Sequence, residues 1–328
     1  MSILNQTYGD FTYYCLDNGS TDGTGAIIRE YAERDGRIVT LSVPNNIQPG
    51  VTAMFLPTFL SRGDDGYIAW LDADDEYKPD FLEKMAAFAL ENQLDVALSG
   101  TEYINNDGTS RLDTPPETLI IEGTGFTEHL PSYHKYTTRM WANLYSLKLL
   151  TKMEFPTLDK ADKAATFYDV MCPLRAMQHA SRTGLLAESL HKYYVNTLQE
   201  QLSFRYTPDY FRWINELQRQ VRDYILSYGV ISSENENFLN VRFLIWIKYI
   251  LPKIQNADIP LQTRIADLTE IFSDERTKEL LSLDWISIGI QTDKREFIGE
   301  QLDWAKSQPN SEALIAALEG RLKENFGE

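Results

Sequence analysis

Tyr67-Ile68-Ala69-Trp70-Leu71-Asp72-Ala73-Asp74-Asp75-Glu76-Tyr77 decides how the fold is read: an apolar run of strand length ends in four acidic residues within five positions. One reading is a surface turn after a strand, its aspartates serving turn geometry or capping the next helix. The other is a buried strand delivering carboxylates to a solvent edge. Carboxylates held so close repel one another unless a cation neutralises them, and a hard divalent metal takes oxygen ligands.

The context outward from that stretch separates the two readings. Upstream, Phe11 to Leu16 is rich in β-forming residues, and Asp17-Asn18-Gly19-Ser20-Thr21-Asp22-Gly23-Thr24 follows as a glycine-punctuated loop. Ala26 to Ala32 has helical spacing with Ile27, Ile28 and Tyr31 on one face, and Ile38 to Val43 reads as the next strand. Gly50 to Ser61 reads as a helix interrupted or started late at Pro57. Strand, helix, strand, helix, strand predicts a three-layer α/β sheet with parallel strands, whose ligands bind beyond the carboxyl ends of the strands. Both polar loops, 17 to 24 and 72 to 77, fall at such ends.

Downstream, Pro79 to Met85 opens a helix with Phe81, Met85 and Phe88 on one side, and Val96 to Ser99 reads as a short buried strand. Tyr103 to Thr138 breaks into Asn, Asp, Gly, Pro and Thr clusters, the composition of an irregular insertion. Met140 to Leu150 is apolar again, Ala164 to Leu174 begins a helical segment, and Leu185 to Val195 reads as a strand that closes the sheet. After Asn196 the aromatic and aliphatic residues of 210 to 228 and 238 to 254 recur at helical spacing. The expected division is an α/β domain over 1–199 and a mainly helical region over 200–328.

The formal charge of −17 opposes non-specific binding to nucleic acid or anionic lipid. Cys15 and Cys172 show no metal or redox spacing and read as buried thiols of a reducing cytoplasm. No apolar run reaches the roughly 20 residues of a membrane span, and Met1 is followed by no leader-like segment, so the expectation is a cytoplasmic protein, compatible with a place at the inner face of the membrane.

Three segments in this order, Ser2 to Tyr8, Leu16 to Thr24 and Tyr67 to Asp75, resemble the nucleotide-binding half of the family 2 inverting glycosyltransferases with the GT-A fold. The resemblance covers roughly residues 2 to 196. It implies a nucleotide-sugar donor, UDP-linked by family habit, a carbohydrate or glycolipid acceptor of surface polysaccharide synthesis, and a Mn²⁺ or Mg²⁺ ion on the DxD carboxylates. Carried over by position, Asp74 would be the main metal ligand and Asp72 would face the ribose or the metal's water shell, while Asp75 orients the loop. Asp17 and Asn18 would meet the base, with an amide where the family usually has a second acid. Asp169 of Tyr168-Asp169 would be the general base, the other reading being a helix-capping aspartate. Trp141 and Asn143 would lie on the acceptor side, the other reading of Trp141 being a core residue. The resemblance also raises His191, since a His late in the sheet is an extra metal ligand in some GT-A enzymes, but beside Tyr193 and Tyr194 it reads as a surface or packing residue and is left out of the metal site.

The sequence departs from the family in two places. It begins at the segment that usually follows an apolar first strand and its base-binding turn. Trp285 to Ile298 is loosely similar to that missing opening; one reading is that it pairs with residues 12 to 17 in its place, and the favoured one is an ordinary segment of the helical region. Gln48 to Phe55 lacks the Arg that often meets the donor diphosphate. These departures keep a rival open, a catalytically degenerate GT-A-like module acting as a binding protein. A second rival, a haloacid-dehalogenase-like phosphatase, usually needs Thr or Val where Asp75 stands.

Overall fold

The computed structural model describes residues 2–45, 51–61, 63, 65–153, 168–195 and 206–327. It divides into two units, Met1–Thr197 and Leu198–Glu328. In the first, β1 (Tyr13–Asn18), α1 (Thr24–Arg34), β2 (Ile38–Val43) and α2 (Val51–Leu60) alternate as the sequence suggests. Then come β3 (Tyr67–Ile68), β4 (Glu76–Tyr77), α3 (Phe81–Glu91), β5 (Val96–Asn105), β6 (Ser110–Asp113), β7 (Leu119–Glu122) and β8 (Asn143–Ser146). A helix over Tyr168–His179 leads into β9 (Arg182–Val195).

The strands form two sheets. β1 and β2 pair in parallel as a sheet of their own, and β3-β8-β5-β9-β4 is the path of a seven-stranded sheet in which β6 joins β5 and β7 joins β9. The expected all-parallel sheet is corrected: β5 and β9 are parallel, but β3/β8, β5/β8, β5/β6, β4/β9 and β7/β9 are antiparallel. The unbroken strand-helix alternation ends at β3, which β4 follows with no helix between them. Beyond it some connections are tight, as where Asn105 N–H donates to the Thr109 carbonyl at 2.9 Å, and such a turn permits only antiparallel pairing. The stretch expected to be irregular holds β6 and β7, and β9 lies between β5 and β4 instead of closing an edge.

Helix α3 covers the large sheet. Phe81, Met85 and Ala89 repeat every fourth position, are fully buried, and share one core cluster with Tyr77, Leu94, Ala97, Leu144 and Leu190. Phe88 is only partly buried against that cluster. Helix α1 forms as expected, but it buries no residue and Ile27 is 55% exposed, so its apolar face is narrower than the sequence spacing implies.

The amino-terminal segment is tied to the start of α3. Gln6 Nε2 donates to the Lys78 carbonyl at 2.8 Å, and its Oε1 accepts from Leu82 N–H at 2.9 Å, an amide in the first turn that has no partner inside the helix. Gln6→Ala strands both groups beside a core element. Urea unfolding is expected to show a loss of about 1–3 kcal/mol; an unchanged midpoint would contradict the tie.

The second unit is helical, with helices over Tyr210–Ser227, Ser233–Gln255, Leu261–Ser273, Glu275–Ser282, Lys294–Lys306 and Glu312–Phe326. Ser232, Asp274 and Asp293 cap three of them by accepting from the amides of Asn235, Thr277 and Glu296. The strand reading of 286 to 290 is overturned. Those residues form a turn in which Ile290 N–H reaches the Trp285 carbonyl at 2.8 Å, Gly289 has φ +84°, and Ile286 is 86% exposed. The Ile-x-Ile-x-Ile alternation imitates a strand, but the left-handed glycine closes a turn that alternation cannot encode. β1 pairs with β2 and with no other strand among the described residues.

Candidate functional site

Asp72-Ala73-Asp74-Asp75 is a tight turn between β3 and β4, closed by Asp75 N–H donating to the Asp72 carbonyl at 3.2 Å. Asp72, Ala73 and Asp74 are exposed, while Asp75 is buried. The turn therefore shows two carboxylates to solvent and drives the third inward. Tyr77 braces the loop from below: its hydroxyl donates to the Trp70 carbonyl at 2.6 Å, and its ring stacks on Phe81 at 3.6 Å.

The buried Asp75 fastens the turn to β9. Its Oδ1 accepts from Tyr194 N–H at 3.0 Å, and its Oδ2 lies 3.4 Å from His191 Nε2, with both side chains essentially closed to solvent. The sequence reading of Asp75 as an orienting residue agrees with this geometry. His191 is not at the surface: it is fully buried under the acidic turn, edge-on to Tyr77 at 5.8 Å and stacked with Trp141 at 6.3 Å. Burial pushes its imidazole below the ordinary range, and the neighbouring Asp75 only partly offsets this. A lone histidine with no ligand spacing gave no sign of this partner, which comes from β-ladder register: Tyr77 pairs with His191 across β4 and β9.

Trp141 is half-buried and packs against Tyr193 at 5.5 Å. The Tyr193 hydroxyl is pushed up to about 12 by burial and by the charges of Asp75, Asp74 and Asp72. One aromatic wall, Trp141 and Tyr193, thus stands beside the acidic turn. Asn143 does not share that setting and is corrected to a packing residue. It is fully buried, and its amide nitrogen donates to the carbonyls of Tyr136 at 3.0 Å and Arg139 at 2.9 Å. Between them Ala142 has φ +62°, and this left-handed residue turns the chain so that neighbouring Trp141 and Asn143 differ in exposure.

Asp17 and Asn18 stand at the carboxyl end of β1, half-buried, in the two-stranded sheet. Hydrogen bonding from Ser20, including its amide at 2.9 Å to Oδ1, holds the Asp17 carboxyl below the usual range. Gly25 makes room for it: a Cβ there would lie 2.7 Å from Asp17 Oδ2. Asp169 is in the first turn of the helix Tyr168–His179, and its side chain lies outside the described residues. Gln48 to Gly50, part of the segment without the expected Arg, also lie outside them.

As a cation site the turn offers two exposed carboxylates, and no group of three or more His, Cys, Asp or Glu ligands occurs among the described residues. That donor set fits a hard divalent ion of the Mg²⁺ type, which is commonly held by one or two carboxylates with substrate phosphates and water completing its shell. No helix among the described residues is long and apolar enough to cross a membrane.

Residues 1–146 match the model of Glycosyl transferase family 2, so the resemblance carried by the three motifs is borne out. A putative teichuronic acid biosynthesis glycosyltransferase, TuaG of Bacillus subtilis, is 32% identical over 37% of the chain and 48% of its own length. The uncharacterized glycosyltransferase EpsJ of the same organism is 26% identical over 60% of the chain and 56% of its own length. The chain thus spans about half the length of these curated relatives. A crystal structure of S. aureus TarS in complex with UDP-GlcNAc covers 99% of the chain and 83% of its own, with 17% identity and a TM-score of 0.51. The fold class is accordingly GT-A, an α/β domain followed by a mainly helical region.

Proposed function

We propose that the protein is a metal-assisted glycosyltransferase that moves a sugar from a UDP-sugar to a carbohydrate or glycolipid acceptor of surface polysaccharide synthesis, with inversion. The observation that carries this is the acidic turn: Asp72 and Asp74 held out to solvent on a turn fastened through Asp75, inside the family-matched segment. The UDP-GlcNAc complex of TarS supports the donor class, and the name of TuaG supports an acceptor of the bacterial surface.

In this reading Asp74 and Asp72 would hold Mn²⁺ or Mg²⁺, which when bound neutralises the charge gathering on the departing nucleoside diphosphate. Asp17 and Asn18 would orient the base and ribose through a low-pKa carboxylate and an amide. Trp141 and Tyr193 would offer an aromatic face to a sugar ring. Asp169 would take the proton of the acceptor hydroxyl as it attacks the anomeric carbon from the side opposite the leaving diphosphate. The expected domain boundaries, 1–199 and 200–328, enter the proposal as a transferase domain with a helical region.

Incubating the intact protein with a panel of UDP-sugars and Mn²⁺, and measuring UDP release, tests the reading. At least one donor is expected to release UDP faster than in a metal-chelated control. Absence of release from every donor, with no UDP binding, would instead favour the degenerate binding module.

A further inference from the structure

We infer that His191 is a positioning residue, which donates from Nε2 to Asp75 and thereby sets the turn that presents Asp72 and Asp74. The inference rests on the metal-assisted reading for its catalytic consequence, and on the geometry alone for its structural one.

Asp75 Oδ2 and His191 Nε2 face each other at 3.4 Å, and neither atom has a hydrogen-bond partner as placed. Leaving a buried carboxylate oxygen and a buried ring nitrogen both unsatisfied is costly, and a small rotation of either side chain converts the contact into a charge-assisted hydrogen bond. The other ring nitrogen is compatible with that arrangement: Thr101 Oγ1, fully buried, lies 3.5 Å from Nδ1 and can donate to it when the imidazole proton is on Nε2, toward Asp75.

The strands are arranged to place this ring. The β5/β9 register shifts between Leu98 and Gly100 and again between Gly100 and Thr101, which sets His191 opposite Thr101. Such a bulge re-aims the side chains that follow it. Gly100 permits the shift, because a Cβ there would come within 2.6 Å of the Asp113 carbonyl and 3.0 Å of the Glu188 carbonyl, both main-chain atoms. From β9, His191 and the Tyr194 amide then grip the two oxygens of Asp75, while Asp75 N–H closes the turn on Asp72. Rotation of the Asp75 carboxylate therefore pulls directly on the backbone that carries the two exposed aspartates.

The test compares His191→Gln, whose amide nitrogen replaces Nε2, with His191→Asn, whose shorter side chain reaches only the Nδ1 position. Hydrogen exchange of the Asp75 and Tyr194 amides is followed in the ligand-free protein, and UDP affinity is measured with and without Mn²⁺. In His191→Asn both amides are expected to exchange at least roughly tenfold faster, and Mn²⁺-dependent UDP affinity to fall roughly tenfold, within the range seen for outer partners of ligating groups. His191→Gln is expected to restore both. Equal amide protection in the two variants and the wild type would overturn the inference, as would equal loss in both. Wild-type protein that shows no Mn²⁺-dependent binding would defeat the transferase reading, while the exchange comparison still decides the role of His191.

Discussion

Asp74→Ala is expected to abolish Mn²⁺-dependent UDP binding and to remove sugar transfer, while leaving the fold intact. The exposed Asp74 carboxylate is one of the two that the acidic turn shows to solvent. With so few protein ligands, the loss of one leaves a cation held mainly by the diphosphate and water, so affinity should fall by more than the ~10–100-fold attached to an outer partner. Stability should change by no more than about 0.5 kcal/mol, the usual range for a surface substitution. The adjacent residue supplies the contrast. Asp75 is buried and accepts from Tyr194 N–H, so Asp75→Ala removes a partner from the interior and should lower the melting temperature as well as metal-dependent binding. If Asp74→Ala retained wild-type UDP affinity in Mn²⁺, the acidic turn would be only a turn.

Asp169→Asn separates chemistry from binding. The substitution keeps shape and removes the proton acceptor, so kcat should fall by about 10²–10⁴, the usual contribution of a positioned base. UDP affinity should stay within a factor of about two, because the base acts on the acceptor hydroxyl and not on the donor diphosphate. Pre-steady-state and steady-state transfer assays together with UDP titration measure both. Full activity in Asp169→Asn would return this residue to the helix-capping reading, since its placement in the first turn of Tyr168–His179 suits either role.

The acidic turn and the strand before it were legible in the sequence, because an apolar run meeting several carboxylates points to a strand ending at a solvent edge, but that strand is only the half-buried Tyr67–Ile68, and β4 at Glu76–Tyr77 lies in the stretch read as a loop. The helical spacing of Phe81 and Met85 was equally plain, although the stripe is completed by Ala89, and Phe88 belongs to the margin of the core. Partners distant in sequence were hidden. His191 has no local feature that announces Asp75, and only the β4/β9 register joins them. Trp141 and Asn143 look alike as neighbours of an apolar run, and the left-handed Ala142 between them gives one a half-open face and the other a wholly internal role. Polar composition at 103 to 138 concealed β6 and β7, since strands on a sheet margin need little continuous apolar sequence. The Ile286 to Ile290 alternation erred the other way, as a strand pattern without strand neighbours. The sheet also lacks a strand joining β1–β2 to the sheet that carries the turn, among the described residues.

The central claim is that a nucleotide diphosphate and a divalent cation meet at Asp72 and Asp74. Calorimetric titration of the intact protein with UDP, once in Mn²⁺ and once in chelator, tests it most directly. Binding in the micromolar range with Mn²⁺ that disappears in chelator and in Asp74→Ala is the predicted result. Absence of binding in Mn²⁺, or equal binding in chelator and in the variant, would contradict it.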